Sequence, residues 1–195
     1  ELAAQEEGGA VAYSALAALA ESAPPGCNGL IALPYFSGER TPLHDPDARG
    51  VWFGLSLTTT RADLYRALLE AVAFGIRHNI DAMRADQVLP KRILAVGGGT
   101  RNRPWMQMVS DIVGIEQTIA TQQIGASYGD AMLAAIGVGH FADTQEAVQG
   151  WVKPGEILRP NIDAQTFYMP YYALYRQLYD QTASTMHALS ALSLR

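Results

Sequence analysis

The chain has 195 residues, of which 49% are hydrophobic and 17% are charged, a composition typical of a soluble globular domain. Its formal net charge is −5, and lysine occurs only at Lys91 and Lys153, so no basic patch is available for a nucleic-acid backbone. We therefore expect no nucleic-acid partner. The early apolar run over residues 10–20 is too short for a membrane span or a signal sequence, which predicts a cytoplasmic protein.

Cysteine and histidine usage gives no support for a metal site. Cys27 is the single cysteine and follows Pro24, Pro25 and Gly26, so we interpret it as a loop residue and not as a nucleophile. The histidines share no metal-ligand spacing with one another or with Cys27; they are His44, His78, His140 and His187. The sequence predicts no metal ligands in this chain.

Helical and extended patterns alternate through the first half of the chain. Residues 2–21 are alanine-rich and predict a helix, with Gly8 and Gly9 as a candidate break. Residues 30–34 and 51–55 predict two short strands joined by a loop rich in proline and charge. In that loop, Asp45, Pro46 and Asp47 predict a turn.

Residues 60–83 give the clearest helical pattern, and Thr60 with Asp63 forms a start that resembles a capping box. One face of this helix is apolar and is expected to be buried; it carries Leu64, Leu68, Ala71, Val72, Gly75, Ile76, Ile80 and Met83. The other face carries Arg61, Arg66, Glu70, Arg77 and Asp81.

The second half contains a strand, helix, strand unit. Residues 92–96 predict a strand, residues 97–101 a turn, and Asn102 the N-cap of a helix with Pro104 in its first turn. The apolar spacing buries one face of that helix, formed by Trp105, Met108, Val109 and Ile112. With the next strand, over residues 117–121, this unit predicts two parallel neighbours in one sheet.

The remaining segments complete the α/β pattern. Residues 127–138 predict a helix rich in glycine and alanine, which favours close approach of backbones. A short helix over 144–149, an irregular stretch over 151–163 and an aromatic-rich helix over 167–190 follow.

Three consecutive glycines, Gly97, Gly98 and Gly99, precede Asn102 at the strand-to-helix turn. They either serve a tight turn or leave bare backbone that a ligand approaches closely. A P-loop is excluded because neither lysine follows a glycine. The dinucleotide fingerprint is incomplete, since Asn102 stands where the third glycine is needed and no acidic residue ends the next strand. Bare backbone beside an amide that donates and accepts suits adenosine better than phosphate.

Four stretches occur in a specific order and spacing: LPYFSGERTPLHDPDARGVWFGL (33–55), DLYRALLEAVAFGIR (63–77), GGGTRNRPWMQMVSDIVG (97–114) and GASYGDAMLAAIGVG (125–139). Together they resemble the C-terminal half of carbohydrate kinases of the FGGY type, which include xylulokinases, gluconokinases, ribulokinases and glycerol kinases. The resemblance extends over residues 29–179.

The resemblance implies an α/β fold of the actin-like ATPase (ribonuclease H-like) type, with a mixed sheet flanked by helices. Residues 1–195 would form the C-terminal nucleotide-binding domain of a longer protein, with its first strands and an N-terminal sugar-binding domain outside the chain. Such a chain is expected to expose a sheet edge and apolar surface. A homodimer is compatible with the resemblance, although no residue here identifies an interface.

The resemblance also implies a site. Gly98 and Asn102 match family positions that touch the adenosine of ATP, while Gly97 and Gly99 shape the turn. The family reaction uses ATP and Mg²⁺ to phosphorylate a sugar hydroxyl, with an aspartate as general base. The base belongs to a G-D-x motif and the phosphate loop to a D-x-G-T-T motif, both expected upstream. Asp130 follows Gly129 inside a helix pattern and does not match, so no catalytic residue is predicted in this chain, and the isolated chain is expected to be inactive.

Further interpretations remain open at the level of sequence. Glu39 and Arg40 of the GERTP loop are expected to pair with each other or with Arg49 as a structural clasp, with direct substrate contact as the second interpretation. The amino-acid sequence of this loop is similar to that of xylulokinase-like and gluconokinase-like members, which favours a pentulose or a related polyol or sugar acid as the substrate. Residues 125–131 resemble a segment near the interdomain hinge, or serve tight core packing. Two other functions are possible alternatives: another actin-like ATPase, and a noncatalytic binding domain.

Overall fold

The computed structural model describes residues 9–88, 90–121, 125–153 and 155–193. Their helices are α1 (Gly9–Glu21), α2 (Arg61–Ala85), α3 (Arg103–Val113), α4 (Ala126–Gly137), α5 (Thr144–Trp151) and α6 (Ile162–Ser193). Their strands are β1 (Ile31–Leu33), β2 (Val51–Phe53), β3 (Ile93–Ala95), β4 (Gln117–Ile119) and β5 (Ile157–Leu158). Within these ranges no helix is both long and apolar enough to cross a bilayer. The helix predicted over residues 2–21 falls partly on residues 2–8, which lie outside the described ranges.

The strands form two small sheets. β1 and β2 pair antiparallel, while β3, β4 and β5 form a mixed sheet in that order. Leu94 of β3 lies opposite Thr118 of β4 in a parallel pair, and Thr118 lies opposite Ile157 of β5 in an antiparallel pair. The predicted parallel crossover through α3 is therefore confirmed. β5 was not predicted, because two residues are too few to produce a periodic signal.

The mixed sheet has β3 at one edge among the described residues. Leu94 and Val96 are each about half exposed there. This agrees with the expected exposure of a sheet edge and apolar surface.

α6 begins five residues before its predicted start at residue 167. The side-chain Oδ1 of Asn161 accepts hydrogen bonds from the backbone N–H groups of Asp163 and Ala164, at 2.9 and 3.1 Å. An asparagine in this role is a strong helix-start signal, which the aromatic pattern further along the helix obscured. Pro170 lies inside the helix, so proline did not end it.

The core surrounds α2, and this changes which faces of that helix are buried. Phe74 packs against the rings of Tyr168, Tyr172 and Tyr175 on α6. α2 also contacts α1, α3 and β1, so no single face points to the interior. Its buried residues are Ala62, Asp63, Ala67, Glu70, Ala71, Ala73, Phe74, Arg77, His78 and Ile80.

The predicted division of α2 into an apolar and a charged face is therefore wrong in part. Val72 and Met83, from the face expected to be buried, are exposed, whereas Glu70 and Arg77 are buried. These buried charges are tolerated because they have partners. The Arg77 guanidinium donates to the backbone oxygen of Ile112 at 2.7 Å and lies over the ring of Tyr172.

The small residues of α4 do not bring backbones together within the described part of the chain. α4 has no buried residue there, and a Cβ atom placed on Gly129 or Gly137 would meet nothing within 4 Å. Tight core packing is thus not the explanation of this segment in the described structure. Its resemblance to a hinge remains a prediction.

The GERTP loop is held by contacts that differ from the expected clasp. The Glu39 carboxylate accepts a hydrogen bond from the Thr41 N–H at 3.1 Å, and the ion-pair partner of Arg49 is Asp47. No Glu39–Arg40 or Glu39–Arg49 pair forms among the described residues. A clasp of another kind exists, since Asp45 accepts from the Tyr179 hydroxyl and contacts the His187 ring, both on α6, at 2.8 Å.

The predicted turn at the same loop is confirmed. The Asp45 carboxylate accepts from the Asp47 N–H at 3.0 Å, and the Asp45 carbonyl accepts from the Ala48 N–H at 3.4 Å. The two aspartates therefore have structural roles, in the turn and in contacts with α6.

The capping box of α2 is also confirmed, and it leads to a first prediction. Thr60 Oγ1 accepts from the Asp63 N–H at 3.2 Å, and the Asp63 carboxylate accepts from the Thr60 N–H at 2.8 Å. We expect Thr60→Ala to lower the free energy of unfolding by about 1 kcal/mol in urea titrations near neutral pH. Thr166→Ala is the matched control, because Thr166 is exposed within α6 and caps no helix.

The effect of Thr60→Ala is expected to depend on pH. Hydrogen bonds from the Thr60 side chain and backbone hold the pKa of Asp63 below its usual value. A lowered pKa in the folded state stabilises the protein above the pKa of the unfolded chain, and this stabilisation is lost as the pH falls through the folded-state pKa. The difference between wild type and variant should therefore shrink in acid; a difference that is constant down to acidic pH would contradict the role given to Asp63.

Candidate functional site

A cavity of about 710 Å³ lies between α1, α2 and the turn that begins α3. This volume is within the range of small-molecule sites. Its lining comes from α1 (Tyr13, Ser14, Ala17), α2 (Tyr65, Leu69), the glycine turn (Gly98, Gly99, Arg101) and the start of α3 (Asn102, Trp105). The turn singled out in the sequence thus opens onto an enclosed space, and three of the four predicted site residues line it.

The reason for a glycine differs among the three positions of the turn. Gly97 has φ +91° and ψ −178°, a conformation that is essentially restricted to glycine, so it serves the turn. At Gly99 a Cβ atom would lie 2.9 Å from Cζ3 of Trp105, so this glycine makes room for the indole.

Gly98 is different from its neighbours. A Cβ atom there would meet no atom within 4 Å, and the backbone of Gly98 does not have a positive φ. Gly98 is exposed and lines the cavity. Neither backbone conformation nor packing within the described structure therefore requires glycine at this position.

Asn102 combines a structural role with a place in the cavity wall. Its Oδ1 accepts a hydrogen bond from the Trp105 N–H at 3.1 Å, which confirms the predicted N-cap of α3. The cap uses the oxygen of the amide and leaves the Nδ2 hydrogens as donors on a half-buried residue that lines the cavity.

Trp105 forms part of the cavity lining, whereas the sequence predicted it on the buried face of α3. Its indole Nε1–H donates to the backbone oxygen of Leu69 at 3.0 Å, which ties α3 to α2. Met108 and Val109, predicted with it, are buried. Trp105 is half-buried because one side of its ring supports the turn and another side borders the open space.

The α1 wall was missed by sequence reasoning. Tyr13, Ser14 and Ala17 face the glycine turn across the cavity, although nothing in an alanine-rich helix marks one face as special. Tyr13 is 73% exposed and Tyr65 half-buried, so both rings are accessible for contact with a flat ligand.

Among the described residues, no acidic side chain lines the cavity. Asp63 caps α2, Asp45 and Asp47 bind the GERTP turn and α6, and Asp130 is exposed on α4. Across the part of the chain that the structure describes, no group of three His, Cys, Asp or Glu side chains could hold a metal ion. The described residues therefore do not fit a magnesium site by themselves.

Cys27 lies in a single 3₁₀ turn, Cys27–Gly29, and is buried. Burial, followed by the negative charge of Glu70, raises the pKa of its thiol. A thiol in this environment stays protonated and is a poor nucleophile, in agreement with the sequence interpretation.

The comparison with protein families gives a clear match. The model of the C-terminal domain of the FGGY family of carbohydrate kinases matches residues 1–138. The chain belongs to this family and corresponds to its C-terminal domain. A xylulose kinase from Staphylococcus epidermidis is 36% identical over 164 residues, which cover 84% of this chain and 33% of that protein. A xylulose kinase from Escherichia coli is 33% identical over 176 residues, 88% of this chain and 36% of that protein.

Solved structures agree. The xylulose kinase from Rhodospirillum rubrum matches with a TM-score of 0.78 and 36% identity over 94% of this chain and 36% of its own. The gluconate kinase from Lactobacillus acidophilus matches with a TM-score of 0.77 and 25% identity over 89% of this chain and 35% of its own. The predicted α/β fold of the actin-like ATPase type, with a mixed sheet and flanking helices, is confirmed. The chain spans about a third of the length of the relatives it matches.

Proposed function

We propose that this chain supplies the adenosine-binding part of an ATP-dependent carbohydrate kinase that phosphorylates a sugar hydroxyl. The observation that carries the proposal is Gly98, which lines the cavity although neither packing nor backbone conformation requires a glycine there. Bare backbone at a cavity wall lets a planar base or a ribose lie closer than any side chain would permit. The family membership supports the same nucleotide.

The chain's own residues would bind and orient the adenosine. Gly98 offers the surface against which it lies, and the Asn102 amide offers the N–H donors that its cap leaves available. Gly97 and Gly99 hold the turn in shape, one through its backbone angles and the other by admitting the Trp105 ring. ATP supplies the phosphoryl group that is transferred, with positioning and electrostatic stabilisation as the usual sources of catalysis in such transfers.

The general base and the ligands of Mg²⁺ are proposed to come from an N-terminal sugar-binding domain of the same protein. This fits the carboxylates of the described residues, since Asp45, Asp47 and Asp63 are engaged in structural contacts. The cytoplasmic location and a homodimer remain predictions of the sequence.

The substrate is proposed to be a pentulose or a related polyol or sugar acid. Among relatives, the protein from Staphylococcus epidermidis is a xylulose kinase, that from Pediococcus pentosaceus a glycerol kinase, and the Lactobacillus acidophilus structure a gluconate kinase. The first of these favours a pentulose. A noncatalytic domain, or another actin-like ATPase used for binding, is the alternative function.

The test is an ADP-release assay on the full-length protein that carries this chain, against pentuloses, hexonates and polyols. We expect ATP-dependent ADP release with one of these classes and none from the isolated chain. Nucleotide binding without turnover on any sugar would favour the noncatalytic alternative. Absence of adenine-nucleotide binding would overturn the proposal.

A substitution at Asn102 separates the cap from the ligand contact. Aspartate is an equally good N-cap, so Asn102→Asp keeps α3 stable but removes the Nδ2 donors. We expect the KM for ATP to rise about tenfold, the value for one lost hydrogen bond of about 1.4 kcal/mol, with an unchanged KM for the sugar. Steady-state kinetics with each substrate varied in turn measures this; an equal change in both constants, or in neither, would count against Asn102 as an adenosine contact.

A further inference from the structure

The wall that α1 contributes to the cavity is weakly packed. Among the side chains described in α1, residues 13–21, Ala20 is the one that is fully buried. Tyr13 and Leu16 are exposed, and Ala17 is half-buried. The described side chains of α1 therefore bury little apolar surface, so polar contacts at the end of this helix contribute to the position of the wall.

Arg66 of α2 supplies such an interaction at the end of α1. Its Nη1 group donates to the backbone oxygen of Ala23 at 3.0 Å and to that of Ala20 at 3.5 Å. The last carbonyls of a helix have no partners within the helix and carry partial negative charge, so a guanidinium is well suited to bind them. The side chain of Arg66 is 14% exposed, and this shields the contact from solvent screening.

Glu70, one turn further along α2, holds the guanidinium in place. Its Oε1 atom accepts from Arg66 Nε at 2.9 Å, from the Gly26 N–H at 3.1 Å and from the Tyr168 hydroxyl at 2.9 Å. Tyr168 in turn accepts from Arg66 Nη2 at 3.2 Å. Arg66 and Glu70 thus join α2, the end of α1, the segment after it and α6.

The residues of α2 that line the cavity and the residues that bind α1 lie on neighbouring rows of the helix. Tyr65 and Leu69, four residues apart, line the cavity, and Arg66 and Glu70 are the next residues after each. One residue corresponds to a rotation of about 100° around a helix, so the row that binds α1 adjoins the row that faces the cavity. α2 therefore contacts both walls of the cavity. It binds the end of α1 through Arg66, and it binds the start of α3 through the Leu69 carbonyl, which accepts from Trp105.

We propose that Arg66 is a positioning residue for nucleotide binding: by binding the carbonyl of Ala20 in the last turn of α1 and that of Ala23 just after the helix, it fixes the distance between the α1 wall of the cavity and the glycine turn. The inference rests on the proposed function, because the bound ligand is taken to be ATP. Arg66 does not line the cavity. Its effect on nucleotide binding is indirect and is exerted through the position of α1.

The experiment compares Arg66→Gln, Arg66→Lys and Arg84→Gln in the full-length kinase. Arg66→Gln removes the guanidinium from α1, whereas Arg84, in the last turn of the same helix, pairs with Asp81, so Arg84→Gln is the matched control. We expect Arg66→Gln to raise the KM for ATP about tenfold and to leave the KM for the sugar and kcat within about twofold, because the loss of hydrogen bonds to a charged group loosens the α1 wall of the nucleotide cavity alone. Arg66→Lys, which keeps a donor and a charge, should recover part of the loss.

A second readout does not depend on activity. Hydrogen exchange of the backbone amides of α1 should become faster in Arg66→Gln, while exchange in α3 stays unchanged. Unchanged exchange in α1, or a lowered stability with an unchanged KM for ATP, would overturn the inference. An increase in the KM for ATP in Arg84→Gln as large as that in Arg66→Gln would also overturn it.

These measurements also cover two further outcomes: a variant that does not fold and a wild-type protein that binds no adenine nucleotide. If Arg66→Gln does not fold, Arg66→Lys decides, since an unchanged KM for ATP and unchanged α1 exchange in that variant would overturn the inference. If wild-type protein binds no adenine nucleotide, the proposed function fails, and α1 exchange in Arg66→Gln still shows whether Arg66 positions the helix.

Discussion

Replacing Gly98 with leucine in the full-length protein is expected to weaken ATP binding by at least about tenfold while leaving thermal stability nearly unchanged. A Cβ atom at Gly98 would meet no atom of the described residues within 4 Å, so a side chain can begin there without a clash. The leucine side chain would occupy the cavity where the adenosine is proposed to lie. Isothermal titration with ATP, together with thermal melting, measures both effects, and Gly98→Ala should give a smaller loss of affinity.

The neighbouring glycines are the controls for this result. Gly97→Ala places a side chain at φ +91°, which costs about 1–3 kcal/mol in this region of backbone space. Gly99→Ala brings a Cβ atom to 2.9 Å from Trp105, so the indole must move. Both should lower the melting temperature, unlike Gly98→Leu. If Gly98→Leu lowered stability as much as Gly97→Ala and left the affinity for ATP intact, the glycines would be turn residues and nothing more.

Glu70→Leu is expected to be strongly destabilising, with a loss of about 3–5 kcal/mol in the free energy of unfolding. Glu70 is 2% exposed, and its carboxylate receives hydrogen bonds from Arg66, Gly26 and Tyr168. Leucine would leave the Arg66 charge and two further donors without their acceptor inside the protein. Urea unfolding followed by tryptophan fluorescence is the measurement.

The exposed pair between Arg103 and Glu156 is the comparison for Glu70. Its two hydrogen bonds, at 2.6 and 2.7 Å, are as short as any at Glu70, but the two side chains are 42% and 55% exposed. Glu156→Leu should therefore have little effect, because water replaces the lost partner. Comparable losses at Glu70 and Glu156 would show that burial of the Glu70 network does not matter.

Local signals explain the parts of the fold that were predicted. Thr60 and Asn102 were identified as N-caps because a cap depends on atoms only three residues apart in the chain, and both hydrogen bonds are present. The parallel pair β3–β4 followed from the length of the connection between two short apolar runs.

Errors arose where burial depends on several partners at once. α2 contacts α1, α3, α6 and β1, so Glu70 and Arg77 are buried on a face that the helical pattern marked as charged. The periodicity of a sequence reports which residues are apolar, but a charged residue can be buried when another element supplies its partner. For Glu70 that partner includes Tyr168, 98 residues away in the chain.

The candidate site likewise has one part that was predicted from the sequence and one part that was not. Gly98 and Asn102 were found from the sequence because they belong to one continuous turn and helix start, which is one of the four stretches that resemble FGGY kinases. The opposite wall, with Tyr13 and Ala17, lies more than 80 residues earlier and carries no motif. A cavity is formed by surfaces of different segments, so its second wall can be identified only when the packing of the helices is known.

By itself the sequence determined the helix caps and the turn that carries Gly98, because each depends on residues close together in the chain. It also determined the family and the α/β class, through the order and spacing of segments along the chain. Only the tertiary structure decided that Gly97 and Gly99 are explained by the fold while Gly98 is not, because that distinction depends on which atoms surround each glycine in space. It also placed α1 across from the turn, with Arg66 at its end. These features depend on contacts between distant segments, which no local pattern specifies.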